Sequence, residues 1–139
     1  MIQHYLSNAP WLHIAVAGIA YFILGAIWHT PALFGKYWAE KHSIQMNEEP
    51  KKKMPRMIGA FLFSIVMAFG MGLVLHLMQS PGTCMNGIKA GLFFGAVFAA
   101  APIAINYLYT SKPIKLWLID AGYHIVGITL MGIILSVWH

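Results

Sequence analysis

The sequence predicts an all-α membrane protein: four antiparallel transmembrane helices, with a short interfacial helix after the first. Three observations carry that prediction. Four apolar stretches, Pro10–Trp28, Met57–Met78, Gly87–Tyr109 and Leu116–Trp138, fill most of the 139 residues. Each is close to the roughly 20 apolar residues that cover a hydrocarbon core of about 30 Å. Hydrophobic residues make up 59% of the chain and charged residues 9%, against about 25% charged in soluble domains. Too little chain lies outside the spans for a soluble catalytic domain, so a single four-helix domain over residues 1–139 is expected.

Span one contains no Lys, Arg, Asp or Glu and ends at Trp28-His29-Thr30-Pro31. Pro31 lacks an N–H and disfavours a continuing helix. It is not read as a cleaved signal peptide, because Met1-Ile-Gln-His-Tyr has no basic residue and no small-residue cleavage site follows. Over Ala32–His42, Leu33, Phe34, Tyr37 and Trp38 recur at helical spacing opposite Lys36, Glu40 and Lys41. That pattern predicts a short amphipathic helix in the membrane interface. Asn47-Glu48-Glu49 resembles a helix start, with carboxylates at the positive dipole end and Pro50 in the first turn. Lys51, Lys52, Lys53 and Arg56 follow where span two enters the membrane, and are expected to contact anionic lipid headgroups.

Ser80-Pro81-Gly82-Thr83 predicts the turn between spans two and three, and Thr110-Ser111-Lys112-Pro113 the turn between spans three and four. The net charge of +5 is no nucleic-acid signal, because of the nine Lys and Arg only Lys89 lies outside the two loops that follow spans one and three. By the positive-inside rule both basic loops are cytoplasmic and both termini lie outside. A bacterial inner membrane is the expected setting. The single cysteine, Cys84, cannot make an intrachain disulfide.

The run Leu24-Gly25-Ala26-Ile27-Trp28-His29-Thr30-Pro31-Ala32-Leu33-Phe34-Gly35-Lys36-Tyr37-Trp38 resembles the opening signature of a family of small membrane proteins, domain of unknown function 1761. Lys115-Leu116-Trp117-Leu118-Ile119-Asp120-Ala121-Gly122-Tyr123-His124 resembles the same family's last-helix signature. The resemblance implies a four-helix membrane domain and no activity or cofactor. His29-Thr30 stands where Tyr-Ser is common in that pattern, and Asp120 where Asn is expected.

Small residues allow helices to pack closely in lipid. Gly87, Gly91, Gly95 and Ala99 recur every four residues on span three, continued by Pro102 and Asn106. Ser64, Ala68, Gly72 and His76 do the same on span two. These stripes predict tight helix contacts within the bundle or between copies. A homo-oligomer, most simply a two-fold dimer, is expected through Gly87, Gly91 and Gly95.

Asp120 is the sole acidic residue within a span. A charge at mid-membrane costs roughly 2.5–3.5 kcal/mol on insertion scales and calls for a partner. His124 lies one turn deeper on the same face. Asn106, Trp28 and His29 are expected at similar depth, so the five residues form a candidate polar or proton site facing the cytoplasm. Two readings stand open: a transport-type site, or a structural Asp hydrogen-bonded to its surroundings with His124 joining helices. The first makes the chain transporter- or channel-like; the second makes it an interaction or scaffold protein. At the other end lie His4, His13, His76 and His139, with no HxxxH, CxxC or neighbouring carboxylate, and no metal is assigned to them. The sequence holds no GxSxG, phosphate-binding glycine loop or HExxH, and neither enzymatic activity nor a cofactor is expected.

Overall fold

A computed structural model describes residues 1–79 and 82–138. Ser80 and Pro81 of the expected turn, and His139, lie outside the described residues. The elements run α1 (Ile2–Ser7), α2 (Trp11–Trp28), α3 (Gly35–Lys41), α4 (Pro50–Leu77), α5 (Cys84–Phe94), a π-helical stretch (Gly95–Ala100), α6 (Ala101–Tyr109) and α7 (Ile114–Val137). Among the described residues, four helices are long and apolar enough to cross a membrane: α2, α4, the continuous run Cys84–Tyr109, and α7.

Local signals set the ends. Glu49 caps α4 with Pro50 at its first position, several residues ahead of the apolar run that begins at Met57. Thr83 caps α5 and its side chain accepts from the Asn86 N–H. α1 was not foreseen. It is too short for a periodic signal, and it holds its place by tucking Tyr5 against α4, where Tyr5 packs on Phe69 and His76.

The spans do not pack in chain order. α7 is the centre: 44% of its apolar window is buried, against 22–28% for the other three spans. It packs on α5, the π-helical stretch and α6 along one side and on α2 and α4 along another, while α2 packs on α4. α4 and span three make no substantial contact with each other, and an apolar groove of about 470 Å³ lies between them, floored by His124, Ile128 and Met131 of α7. Ile14, Leu116 and Met131 are fully buried in the core. Phe63, Val66, Phe98 and Leu118 point outward, as side chains solvated by lipid do.

The glycine stripe on span three is a contact within the chain. A Cβ added at Gly132 would sit 2.5 Å from the carbonyl oxygen of Gly87, and one at Gly95 would sit 2.8 Å from the Ile125 Cα. Gly91 faces the Thr129 backbone in the same way. The expected oligomerisation through Gly87, Gly91 and Gly95 is therefore corrected: α7 fills that face and leaves no room for a second copy. The span-two stripe is also internal. Ala68 and Ser64 are buried, Ser64 donates to the Ala60 carbonyl, and Gly72 lies under the Tyr5 hydroxyl.

Candidate functional site at Asp120

The turn after α2 builds one wall of the site. Trp28 donates its indole N–H to the Ile119 carbonyl (3.1 Å), which pins the end of span one beside Asp120. The chain then reverses through His29, Thr30 and Pro31, and the Gly35 N–H donates to the Thr30 carbonyl (2.9 Å). A Cβ at Gly35 would collide with the His29 carbonyl, so glycine permits this closure. The reversal sends α3 back across the start of α7. Lys112 holds it there by donating to the Lys41 carbonyl (3.0 Å), and the Lys115 ammonium sits 4.4 Å over the Tyr37 ring.

Asp120 lies under α3, 9% exposed. Its Oδ1 accepts from the Trp38 indole N–H at 2.9 Å, and its Oδ2 accepts from the Tyr107 hydroxyl. Two imidazoles flank the carboxylate, His29 Nε2 and His42 Nε2, each 3.9 Å from one of its oxygens. The Tyr107 hydroxyl is also 3.2 Å from His42 Nε2. Its single proton faces Asp120, so His42 must donate from Nε2 to complete that bond. His29 Nδ1 faces the Gly25 carbonyl at 2.8 Å and donates to it. That leaves Nε2 as the atom at which the His29 ring takes up a proton, and the N–H so formed would face the carboxylate. The cluster can thus hold a carboxylate with up to two imidazolium partners, or pass a proton among three groups.

Two of the residues expected here are elsewhere. His124 turns away to Tyr21, whose hydroxyl is hydrogen-bonded to its Nδ1. Its ring packs on Tyr123 at 4.8 Å between centroids, and Tyr123 in turn meets His29 edge-on at 5.3 Å. Asn106 is exposed, and its backbone carbonyl accepts from Thr110. Tyr107 takes the place expected for Asn106. The π-helical stretch is the cause: it adds one residue to the turn, so the face toward α7 runs through the buried Gly87, Gly91, Gly95 and Ala100 to the half-buried Tyr107. Ala99 accordingly lines the groove and is only half-buried. Pro102, which cannot donate to the preceding turn, gives a local reason for the irregularity, and the Ala100 carbonyl accepts from the Trp117 indole N–H (2.9 Å).

Trp38, His42 and Tyr107 are the partners that sequence reasoning missed. The i,i+4 spacing of Trp38 and His42 on one face of the expected interfacial helix was the available signal. Among the basic residues at the start of α4, Arg56 makes a two-pronged ion pair with Glu48 (2.7 and 2.8 Å). That hydrogen-bonded pairing holds the Glu48 carboxyl below its ordinary range. Lys53 donates to the Met46 carbonyl, while Lys51 and Lys52 are exposed. No group of three His, Cys, Asp or Glu among the described residues is placed to hold a metal ion.

Fold and site together define a small all-helical protein with membrane-length helices and a buried carboxylate at one end. A family model described as protein of unknown function (DUF1761) matches residues 12–136, and the chain belongs to that family. Among curated proteins and solved structures, nothing matches it.

Proposed function

We propose that the protein is a proton-responsive, transporter- or channel-like membrane protein whose cytoplasmic end is closed by α3 over Asp120. In this reading it resides in a bacterial inner membrane as a single domain with both termini outside, following the Lys and Arg distribution. Lys51 and Lys52 meet lipid headgroups. A homo-oligomer, most simply a two-fold dimer, belongs to the reading. With the glycine stripe occupied, the faces left for another copy are the walls of the groove between spans two and three.

The observation that carries the proposal is the setting of Asp120. A carboxylate in a span is costly and is kept where it has a task. Here both oxygens accept hydrogen bonds and two imidazoles stand at equal distance. Imidazole is the side chain that ordinarily changes charge near neutral pH. Protonating Asp120 would remove the charge that attracts both rings and weaken the Trp38 bond, since a charged acceptor binds a donor about twice as strongly as a neutral one. α3 would then be free to lift. The titratable groups beside the carboxylate take part: His29 just after α2, His42 just after α3 and Tyr107 from α6. A chain of rings, His29, Tyr123, His124 and Tyr21, leads from the carboxylate toward mid-span.

The test is proton flux into proteoliposomes loaded with a pH-sensitive dye. Asp120→Asn should fold normally and abolish the pH-dependent component. Equal pH profiles for the two proteins would sink the proposal. The second reading, a scaffold protein, is favoured by one observation: Trp38 and Tyr107 occupy both carboxylate oxygens, as a structural latch would. On that reading Asp120→Asn is silent in flux and changes only stability.

A further inference from the structure

The apolar groove of about 470 Å³ between α4 and span three has one polar side chain, His124, among its described lining residues. On the α2 side of that ring, the Tyr21 hydroxyl is hydrogen-bonded to Nδ1. A phenol is the stronger donor and an imidazole nitrogen the stronger acceptor, so Tyr21 donates and the ring proton sits on Nε2. No hydrogen bond reaches Nε2. Unlike the unpaired hydroxyls of Tyr5 and Ser136, it keeps accessible surface, and the groove is the cavity that this ring lines. His124 lies about 15 Å along α7 from Ile114 at 1.5 Å per residue, near the middle of a core about 30 Å thick. An N–H without an acceptor is costly in hydrocarbon, so the groove calls for an occupant that supplies one.

We propose that this groove binds an uncharged lipid that has no headgroup and carries a carbonyl oxygen on an apolar body, the oxygen accepting from His124 Nε2. Other occupants fit less well at this depth. A phospholipid's ester carbonyls are held at the interface by its headgroup, and the acyl chain that reaches mid-span has no acceptor. A water needs two to four polar partners, and the lining side chains other than His124 offer none. A second copy would present the outward faces of its spans, where Leu62, Phe63, Val66, Phe93, Val97 and Val126 are exposed and apolar. An ionised ligand would lack a paired charge, because no Lys, Arg, Asp or Glu stands among the described lining residues. The walls suit an apolar body of irregular shape. Met67, Met71 and Met131 contribute flexible thioether chains, which repack around a guest. The π-helical stretch leaves the small Ala99 on one wall, and Gly70 leaves space on the other, since nothing lies within 4 Å of a Cβ built there. None of these residues bonds to Asp120, so the inference is independent of the latch proposed there.

The experiment uses the full chain in phosphatidylcholine nanodiscs, titrated with nonadecan-10-one carrying carbon-13 at its carbonyl. Isotope-edited infrared spectra are read against empty nanodiscs. A hydrogen bond lowers the carbonyl stretching frequency, so a down-shifted band that saturates with ketone is expected. Nonadecane, which lacks the oxygen, should compete about tenfold less well, the effect of one lost hydrogen bond. His124→Asn keeps an acceptor for Tyr21 near the Nδ1 position and removes Nε2, so the shifted band should vanish. Gly70→Phe fills the groove from a position with open space around its Cβ. It should remove the band without lowering the melting temperature, which separates occupation of the groove from damage to the fold. Absence of a saturable shifted band in the wild type would overturn the proposal, whether phospholipid chains or a second copy fill the groove. So would a band that persists undiminished in either folded variant, or tighter binding of nonadecan-10-ol, which would place the ring proton on Nδ1.

Discussion

Gly132→Ala tests how the span-three stripe is used. The added Cβ would lie 2.5 Å from the Gly87 carbonyl oxygen and 3.4 Å from the Gly87 Cα. A carbon and a carbonyl oxygen from neighbouring elements normally approach to about 3.3–3.6 Å. The helices must therefore part by roughly 1 Å, because the new Cβ is fixed by its own backbone and the atom it meets is a backbone carbonyl, with no rotamer to yield. Overpacking of this sort costs about 1–3 kcal/mol. The upper half of that range applies, because separating α5 from α7 also loosens the contacts at Gly91 and Gly95. Replacing helical glycine by alanine returns up to about 1 kcal/mol, which leaves a net loss of about 1–2 kcal/mol. Gly59 is the control: nothing lies within 4 Å of a Cβ built there, so Gly59→Ala should be neutral or stabilising by up to about 1 kcal/mol. The measurement is unfolding of the detergent-solubilised protein by graded SDS, followed by circular dichroism, alongside particle mass by light scattering. Gly132→Ala should unfold earlier at unchanged mass. If instead its mass falls while its unfolding midpoint stays at that of Gly59→Ala, the stripe joins copies and the intramolecular account is wrong.

Three further outcomes follow from the site and its flank. Trp38→Phe keeps a ring but removes the N–H that reaches Asp120; a hydrogen bond to a charged group contributes about 1.5–3 kcal/mol, so amide exchange over Gly35–Lys41 should accelerate while α2 stays protected, and unchanged exchange there would mean that α3 is held by other contacts. Tyr107→Phe should alter the pH profile of proton flux and Asn106→Ala should not; the reverse order would show that the face of span three has been misassigned. Glu48 has a depressed pKa in the folded protein, so the stability it supplies is fully present above its unfolded value and is lost as pH falls through the folded one. Melting curves of wild type and Glu48→Gln should therefore differ at neutral pH and converge in acid, and a gap that persists in acid would assign the effect to packing.

Much of the architecture was legible because lipid makes simple demands. Every backbone polar group in a span must be satisfied internally, so long apolar runs declare helices, and Pro31, Pro50 and Pro113 marked where they stop and start. The order of packing was not legible. Hydropathy is the same for a helix that touches three neighbours and for one that touches a single neighbour, since core and lipid are equally apolar. Only paired small residues distinguish them, and Gly132 opposite Gly87 is a partner that no spacing rule on one helix reveals.

The site illustrates the same divide at finer scale. Asp120 could be singled out from cost alone, because a carboxylate in a span needs partners. Its partners could not be named from helical periodicity, for two physical reasons. The first is the reversal at Gly35, which brings Trp38 and His42 onto Asp120 from a segment that reads as a surface anchor. The second is the π-helical stretch before Pro102. A regular helix that presents Gly87, Gly91 and Gly95 to α7 would next present Ala99 and later Asn106. One extra residue in the turn shifts the positions facing α7 to the buried Ala100 and the half-buried Tyr107. An amide side chain on that face would meet a carboxylate and an imidazole through separate atoms, its NH2 donating and its carbonyl accepting. The phenol donates to the carboxylate and accepts from His42 through one oxygen, so the irregular turn places a shared hydroxyl between an acid and a base.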